Sequence, residues 1–309
     1  MAQKVSIVIP NYNGQELLIK NLPNVIKYSI DNEIIVVDDA STDNSVKILH
    51  KKFKKVKVIR LKNNVGFSKA VNIGINSASH GFVVLLNSDV SPRENYLKIA
   101  LNHFKRDKSK QLFAVGFLDY SHENQKIILK GRGQAYFKKG FILHSAAKIE
   151  RGETFWVSGG SGLFDKKKIL ELGGFDNMFA PFYWEDIDLC FRASRLGYNC
   201  IFEPLSIVDH YHDLGAIKKQ KSELFIKTVA YKNQFLFFWK NISDTYMIIL
   251  HIVWLPINIL IAIAKFDLAF IIGFFWACLK IPNLIISSFL QKQNYIITEK
   301  DILKKYERQ

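Results

Sequence analysis

The stretch V-S-I-V-I-P-N-Y-N-G, Val5 to Gly14, is an apolar run that ends in polar, turn-forming residues. The same pattern returns in E-I-I-V-V-D at 33–38 and in F-V-V-L-L-N at 82–87, and K-V-K-V-I-R-L at 55–61 is similar. Short runs rich in β-branched residues predict buried strands. Helical patterns separate them, beginning near Gly14, Thr42, Gly66 and Arg93. This alternation predicts an α/β fold with a Rossmann-like, mostly parallel sheet flanked by helices.

Polar residues follow three of the predicted strands. They are Pro10 to Tyr12, Asp38 to Asp39, and Asn87 to Asp89. Parallel α/β sheets bind ligands at the carboxyl ends of their strands. We therefore expect these three clusters to line one pocket.

The composition restricts the class of partner. The chain has 309 residues, 49% of them hydrophobic, which is enough for a large α/β domain with an appendage and excludes a disordered protein. A net charge of +15 favours nucleic acid, anionic lipid or a phosphorylated substrate. Because the sequence carries no nucleic-acid-binding motif, we expect a membrane and a diphosphate rather than nucleic acid.

Two features indicate a cytoplasmic catalytic domain. The three cysteines, Cys190, Cys200 and Cys278, form neither a CxxC pair nor an even set. The apolar run at the N-terminus is too short for a secretory signal. We expect the catalytic residues to face a reducing compartment.

The final third of the sequence predicts a hydrophobic helical pair. Met247 to Ala264 is apolar except for a few positions, and Leu268 to Leu279 follows after a three-residue linker. The first segment is long enough to span hydrocarbon, whereas the second reaches that length only if it continues to Leu290. Three arrangements fit this pattern: a membrane-spanning hairpin, two helices lying in the membrane interface, or a buried pair.

The run Y-W-E-D-I-D-L-C-F-R, Tyr183 to Arg192, places three carboxylates at the start of a helix predicted over 183–196. Free N–H groups and the helix dipole favour negative charge there, and Asp188 lies one turn before Arg192. A structural role therefore explains these residues as well as a catalytic role does.

Seven motifs in order resemble those of the inverting family 2 glycosyltransferases. They are V-S-I-V-I-P-N-Y-N-G, V-V-D-D-A-S-T-D-N-S, N-N-V-G-F-S-K-A-V-N-I-G, L-L-N-S-D-V, W-V-S-G-G-S-G-L-F, G-G-F-D and W-E-D-I-D-L-C-F-R. The sequence is most similar to the rhamnosyltransferase-like branch, which builds bacterial or archaeal surface polysaccharides. The resemblance implies a GT-A domain over 1–240, with a nucleotide-binding half at 1–119 and an acceptor-binding half at 120–240. Residues 241–292 would then form a membrane-associated helical hairpin and 293–309 a polar tail.

The resemblance implies a metal site for Mn²⁺ or Mg²⁺. Asp89 of the N-S-D motif would be one ligand, and His210 another, with His212 as the alternative histidine. Many relatives have Asp where this chain has Asn87, so Asn87 would contact the metal through water or would contact the sugar. An ordinary strand exit and a surface-loop histidine are the structural alternatives.

The resemblance also assigns the donor site. One of Asp38 and Asp39 would read the nucleotide base or ribose, opposite a wall formed by Pro10, Asn11 and Tyr12. Further donor contacts are assigned to Asn64, Lys69 and Gly160. Capping of the following helix is the structural alternative for the aspartate pair.

Asp186 of the E-D pair would be the base that deprotonates the acceptor hydroxyl, with Glu185 positioning it. Trp184 and Trp156 would either contact the acceptor or belong to the core. We expect transfer from a nucleotide-diphosphate sugar to a lipid-linked or polysaccharide acceptor by a membrane-associated enzyme. The alternatives are a polyprenyl-phosphate sugar synthase and a catalytically silent binding subunit, which Asn87 and the degenerate motif K-N-Q-F-L-F-F-W at 232–239 keep open.

Overall fold

The computed structural model of the chain describes residues 3–211, 221–284 and 295–307. His212 and the extension of the second apolar segment to Leu290 lie outside these residues. Everything said below concerns the described part of the chain.

The first half alternates strands and helices, as the sequence predicts. Its elements are β1 (Ser6–Asn11), α1 (Gln15–Tyr28), β2 (Glu33–Asp38), α2 (Ser45–Lys52), β3 (Lys57–Arg60), α3 (Phe67–Ser77), β4 (Phe82–Leu86), β5 (Val90–Pro92) and α4 (Tyr96–Arg106). All four predicted strands and all four predicted helices are present, which confirms the α/β prediction.

The second half begins with strands and ends with helices. The strands and short helices up to residue 210 are β6 (Leu112–Glu123), β7 (Lys126–Lys130), β8 (Gly133–Lys138), β9 (Phe141–Ala146), β10 (Gly152–Glu153), β11 (Ser161–Asp165), α5 (Lys166–Glu171), a 3₁₀ turn (Asn177–Phe179), α6 (Glu185–Arg195) and β12 (Asn199–His210). The remaining helices are α7 (Glu223–Asn241), α8 (Thr245–Ala264), α9 (Leu268–Cys278) and α10 (Glu299–Glu307).

One sheet organises most of the strands, with strand order β10-β12-β6-β11-β4-β1-β2-β3. The strands from β3 to β4 are parallel, β11 is antiparallel to both neighbours, and β12 is parallel to β6. β8 and β9 form a separate antiparallel hairpin. The parallel strands therefore point their carboxyl ends towards one edge, and β6 and β12 extend that edge.

His210 is buried on a strand, so the alternative interpretation of a surface-loop histidine is wrong. β12 shifts register between Glu203 and Ile207 and then continues to His210, pairing with both β6 and β5. The shift lets the strand resume pairing after Pro204 interrupts it. As a result, His210 is fixed by strand pairing rather than left on a mobile connection.

The predicted polar tail contains α10, which packs back onto the catalytic domain. Ile302, Leu303 and Tyr306 are buried, and the Tyr306 hydroxyl donates to the backbone oxygen of Thr154 at 3.0 Å. Arg195 of α6 forms an ion pair with Glu299 at the start of α10. This segment therefore contributes to the core formed by residues 120–240.

Helix α3 approaches the sheet closely at Gly74, and this contact generates a stability prediction. A Cβ at position 74 would lie 2.3 Å from Cγ1 of Val8 and 3.0 Å from Cγ2 of Val37. We expect Gly74→Ala to lower the free energy of unfolding by about 1–3 kcal/mol through overpacking. Urea unfolding followed by tryptophan fluorescence measures the change.

The matched control is Gly81→Ala, because no atom lies within 4 Å of a Cβ built at that exposed position. The control should unfold at nearly the same urea concentration as the parent. Equal stability of both variants would contradict the close packing of α3 on β1 and β2.

Candidate active site

Three titratable side chains meet at the carboxyl edge of the sheet. Asp89 lies in the turn after β4, Asp119 lies on β6, and His210 ends β12. Nε2 of His210 is 3.3 Å from Oδ1 of Asp89, and its Nδ1 is 3.2 Å from Oδ2 of Asp119. Strand pairing creates this contact, because His210 pairs with Val90, the residue after Asp89. The structure therefore brings the two predicted metal ligands together.

This cluster fits a divalent cation whose coordination is completed by phosphate. Oδ1 of Asp89 is buried, and its contact with His210 is not aligned as a hydrogen bond. Oxygen and imidazole nitrogen donors suit Mn²⁺, and Mg²⁺ often binds through one or two carboxylates plus substrate phosphates. Within the described residues, no group of three or more His, Cys, Asp or Glu side chains is arranged to hold a metal alone. A bound diphosphate would have to supply the remaining ligands.

The charge of His210 depends on its two carboxylate neighbours. Burial alone would lower its pKa, but the carboxylates of Asp119 and Asp89 raise it to about 10. A carboxylate on one ring nitrogen also orients a histidine whose other nitrogen meets a metal. Asp119 is therefore placed to orient His210.

The turn at 158–161 lies between this cluster and the acidic helix. Its Gly159 amide donates to Oδ2 of Asp186 at 3.4 Å, and its Ser161 hydroxyl donates to Oδ2 of Asp119 at 3.2 Å. Gly159 of this turn thus contacts the acidic helix, and Ser161 contacts the cluster around Asp89. The cluster around Asp89 and the start of α6 therefore both border this turn, and we refer to the region around the turn as the candidate cleft.

Gly160, in the centre of that turn, lies against Asn87. Its backbone oxygen accepts a hydrogen bond from the backbone N–H of Asn87 at 3.0 Å. A Cβ at position 160 would lie 2.4 Å from Nδ2 and 2.6 Å from Cγ of Asn87. A side chain at position 160 would therefore displace the amide group of Asn87, and both predicted donor residues lie beside the turn.

The aspartates after β2 have different environments. Asp38 is fully buried, and its carboxylate accepts from Nδ2 of Asn11 at 3.0 Å and from the amide of Ser41 at 3.1 Å. Asp39 is 5% exposed and accepts from the amides of Val65 and Gly66 at 2.7 and 2.9 Å. Asp38 therefore braces the loop internally, while Asp39 shapes the loop that leads into α3.

The other predicted donor residues surround these aspartates. Pro10 and Tyr12 are half-buried and Asn11 is buried at the end of β1, while Asn64 and Lys69 are exposed beside the loop that Asp39 holds. This placement agrees with a binding wall along the sheet edge, although the donor contacts themselves stay predictions.

The acidic pair follows a strained turn. Tyr183 and Trp184 have φ angles of 70° and 74°, so two consecutive residues with side chains adopt the left-handed conformation. Such positions cost about 1–3 kcal/mol each and persist where surrounding contacts hold them. The turn places Glu185 and Asp186 at the start of α6, where Asp186 lies against Gly159.

Both carboxyl groups of the pair have raised pKa values. Asp186 keeps some exposed surface, but burial of its carboxyl group raises the pKa to about 6, against the opposing effect of the Ile187 and Gly159 amides. Glu185 is more deeply buried, and burial together with the neighbouring Asp186 raises its pKa to about 8. The pair therefore binds a proton more readily than two ordinary carboxyl groups would, and burial favours the neutral form more strongly at Glu185 than at Asp186.

A model of the family described as "Glycosyl transferase family 2" matches residues 6–167, just over half of the chain. This chain belongs to glycosyl transferase family 2. The match includes β1 to β11, and therefore Asp89 and Asp119, but it ends before Asp186 and His210.

Curated relatives of this glycosyltransferase include named transferases. It is 28% identical over 157 residues to the glycosyltransferase GlyG of Streptococcus pneumoniae, covering 50% of this chain and 52% of that one. It is 26% identical over 207 residues to the poly-beta-1,6-N-acetyl-D-glucosamine synthase of Staphylococcus aureus, covering 66% and 48%. The chain thus spans about half the length of these relatives.

Solved structures share the fold. GalNAc-T7, solved with UDP, GalNAc and Mn²⁺, superposes with a TM-score of 0.64 at 19% identity, covering 79% of this chain and 49% of that chain. TarS of S. aureus, in complex with UDP-GlcNAc, superposes with a TM-score of 0.58 at 16% identity, covering 82% and 72%. The glycosyltransferase therefore has a GT-A-like fold.

The third acidic residue of α6, Asp188, is structural. It is fully buried, and its carboxylate accepts from Arg192, Lys240 and Asn241 at 2.8–3.0 Å. Burial alone would raise the pKa of Asp188, but Arg192 and Lys240 lower it below its ordinary value. The structural interpretation thus fits Asp188, while Glu185 and Asp186 remain available to the cleft.

The two predicted acceptor tryptophans differ in exposure. Trp184 is buried against Phe237, whereas Trp156 is half-buried and covers Gly133. The ring of His144 contacts both, with centroid distances of 5.2 Å to Trp156 and 5.0 Å to Trp184. Trp184 therefore belongs to the core, and Trp156 with His144 forms the accessible part of this aromatic cluster.

Asn233 holds the strained turn, a role that sequence reasoning missed. Its Nδ2 donates to the backbone oxygens of Phe179, Phe182 and Tyr183 at 2.6–2.8 Å. The adjacent Lys232 donates to the oxygen of Ala180 at 2.5 Å. The K-N pair of the degenerate motif signals this contact, since a buried Lys-Asn pair in an aromatic helix requires polar partners.

We expect Asn233→Asp to destabilise the glycosyltransferase by more than about 2 kcal/mol. The change removes the donors of three buried hydrogen bonds and places a carboxyl group against three carbonyl oxygens. Urea unfolding measures the loss. Gln234→Glu is the matched control, because the same amide-to-acid change there loses one long contact of 3.4 Å to Ile142. A loss of stability as small as that of the control would contradict the role of Asn233 in holding the turn.

Proposed function

We propose that this glycosyltransferase moves a sugar, with inversion, from a nucleotide-diphosphate sugar to a hydroxyl of a lipid-linked or polysaccharide acceptor in cell-surface glycan synthesis. One observation carries the proposal: the turn at 158–161 contacts Asp186 on one side and Asn87 and Asp119 on the other. A single cleft thus has a carboxylate base on one wall and an acidic cluster suited to a diphosphate-bound cation on the other.

The donor would bind along the sheet edge. Asp39, which retains some exposure, is the better candidate of the aspartate pair for reading the nucleotide, with Pro10, Asn11 and Tyr12 opposite. Asp89 and His210 would hold Mn²⁺ or Mg²⁺, with Asn87 and Gly160 near the sugar. The cation would neutralise charge that develops on the departing diphosphate. The Mn²⁺ and UDP named in the GalNAc-T7 structure support this assignment.

Asp186 would act as the base. As the acceptor oxygen bonds to the anomeric carbon and the bond to the diphosphate breaks, the hydroxyl proton moves to the Asp186 carboxylate. A pKa of about 6 makes Asp186 a stronger base than an ordinary aspartate while leaving it ionised at neutral pH. Protonated Glu185, one position earlier, would orient the acceptor or Asp186 by donating a hydrogen bond.

The acceptor would enter beside Trp156 and His144. A rhamnosyl or hexosyl donor and a surface-polysaccharide acceptor agree with the resemblance and with the named polysaccharide synthase among the relatives. A silent binding subunit is less well supported, because the K-N segment that suggested it holds the turn before Asp186. A lipid-phosphate acceptor remains the alternative for the same chemistry.

A membrane would be the second partner, with the catalytic domain on its cytoplasmic side. Within the described residues, α8 is the single helix long and apolar enough to cross a bilayer, and 17% of it is buried. Large exposed apolar surfaces mark interaction sites.

Asp186→Asn tests the base. We expect transfer to fall by about 10²–10⁴-fold, because the amide cannot accept the proton, while nucleotide affinity changes little. Initial rates with a panel of nucleotide sugars, and calorimetry with the nucleotide, separate the two effects. The control Asp31→Asn alters an exposed turn and should leave both unchanged.

The pH profile tests the same assignment. Protonation of Asp186 removes the base, so the rate should be maintained near neutral pH and lost as the pH falls through about 6. A profile without a loss in that region, or full transfer by Asp186→Asn, would exclude Asp186 as the base.

Asp89→Ala tests the cation site. Nucleotide affinity measured by calorimetry should fall to the metal-free level in the presence of Mn²⁺, because the variant lacks the carboxylate ligand. Asp186→Asn, which leaves the cluster intact, should keep the full gain from Mn²⁺. Retention of that gain by Asp89→Ala would refute the ligand assignment.

A further inference from the structure

We infer that α8 and α9 lie in the plane of an anionic membrane surface and do not cross the bilayer. This geometry deepens the membrane partner proposed above and rests on that proposal. It selects one of the three arrangements that the sequence leaves open, and four features of the structure support it.

The first feature is that α8 is covered by protein on one face along its whole length. Met247, His251 and Ala262 are buried and share that face, near the start, the first half and the end of the helix. The opposite face carries exposed Ile249, Ile252, Val253, Leu260 and Ile263. A helix with one face covered by protein and the opposite face apolar and exposed is suited to lie between protein and lipid.

The second feature is the tip of the β8–β9 hairpin, which contacts the middle of α8. The Gly140 oxygen lies 2.7 Å from Nδ1 of His251, and the Lys139 oxygen accepts from Nδ2 of Asn258 at 3.0 Å. A Cβ at Gly140 would lie 3.0 Å from Cα of His251, so the backbones touch. Hairpin and helix are therefore one packed unit.

This contact excludes a transverse α8. The helix is about 30 Å long, which equals the thickness of the hydrocarbon, so the hairpin tip would lie near mid-depth. Lys138 and Lys139 at that tip are exposed. Charged side chains and open strand edges are strongly disfavoured in the hydrocarbon. In the in-plane geometry the same lysines reach the headgroups.

The third feature is that α9 is attached to the catalytic domain through α7. A Cβ at Gly273 would lie 2.9–3.0 Å from backbone and Cβ atoms at Thr228, Tyr231 and Lys232. The Tyr231 hydroxyl also donates to Oδ2 of Asp267 at 2.9 Å. Since α7 also holds the turn before Asp186, α9 cannot enter the bilayer without the catalytic domain.

The fourth feature is charge, which favours an anionic bilayer over a second copy of the chain. Lys138, Lys139 and Lys265 are exposed at the border of the apolar face, and the chain carries a net charge of +15. Anionic headgroups attract such lysines. Two copies joined through this face would instead bring like charges together.

The topology test uses intact cells that express the full chain. In a Cys278→Ser background, whose two remaining cysteines are buried, Lys265→Cys places a thiol in the linker between α8 and α9. Lys55→Cys places the matched thiol on the exposed surface of the catalytic domain. An impermeant maleimide is added before or after permeabilisation.

In the in-plane geometry both thiols react only after permeabilisation. Reaction of the linker thiol in intact cells, with the catalytic thiol still protected, would show a spanning hairpin and overturn the inference.

The charge test uses flotation of purified protein with phosphatidylcholine vesicles, with and without phosphatidylglycerol. Lys138→Glu combined with Lys139→Glu should weaken binding to the anionic vesicles by about tenfold or more. The matched pair Lys54→Glu and Lys55→Glu, at the β3 edge, should bind like the parent. Equal loss in both pairs, or no vesicle binding with a stable dimer in light scattering, would overturn the lipid assignment.

Donor hydrolysis by the same variants, measured in detergent, distinguishes the two proposals. Normal hydrolysis without the expected vesicle binding would reject the membrane geometry and leave the transferase proposal standing. Normal vesicle binding without hydrolysis or transfer of any donor would reject the transferase proposal and leave the membrane geometry standing.

Discussion

The close approach of Gly160 to Asn87 is the constraint on which the cleft depends. Because position 160 has no side chain, the turn before β11 can lie directly against the exit of β4. That approach lets Gly159 contact the acidic helix and Ser161 contact Asp119. Two parts of the chain that are distant in sequence are thereby joined through one turn. A larger residue would separate a proposed base from a proposed cation site without altering either one.

The sequence predicted the nucleotide-binding half well because the determining signals there are local. Each of its strands is a continuous apolar run, and each is followed by residues that favour turns or helix starts. The path of β12 could not be predicted in this way, since a register shift after Glu203 lets the strand continue past Pro204. The packing of α10 could not be predicted from the sequence either, because its buried residues contact strands more than a hundred residues earlier.

Site residues show the same division. Asp89 and Asp186 stood in motifs and His210 was assigned by the family resemblance, and the fold brings Asp89 and His210 into contact. Asp119 carries no local signal, because its significance arises only when β12 aligns His210 beside it. The aspartates at the end of β2 look equivalent in sequence, yet strand geometry buries Asp38 completely and leaves Asp39 5% exposed.

The position of α10 has a consequence for biosynthesis. The Tyr306 hydroxyl donates a hydrogen bond to the backbone oxygen of Thr154, a residue far earlier in the chain. The apolar helices α8 and α9 lie between these two residues in the sequence. The ribosome therefore synthesises α8 and α9 before α10 can pack against residues 120–240. Domains generally fold as units while N-terminal parts emerge first, so the nucleotide half can form early. The apolar helices thus emerge while the packing of residues 120–240 is still incomplete, and α10 completes it last.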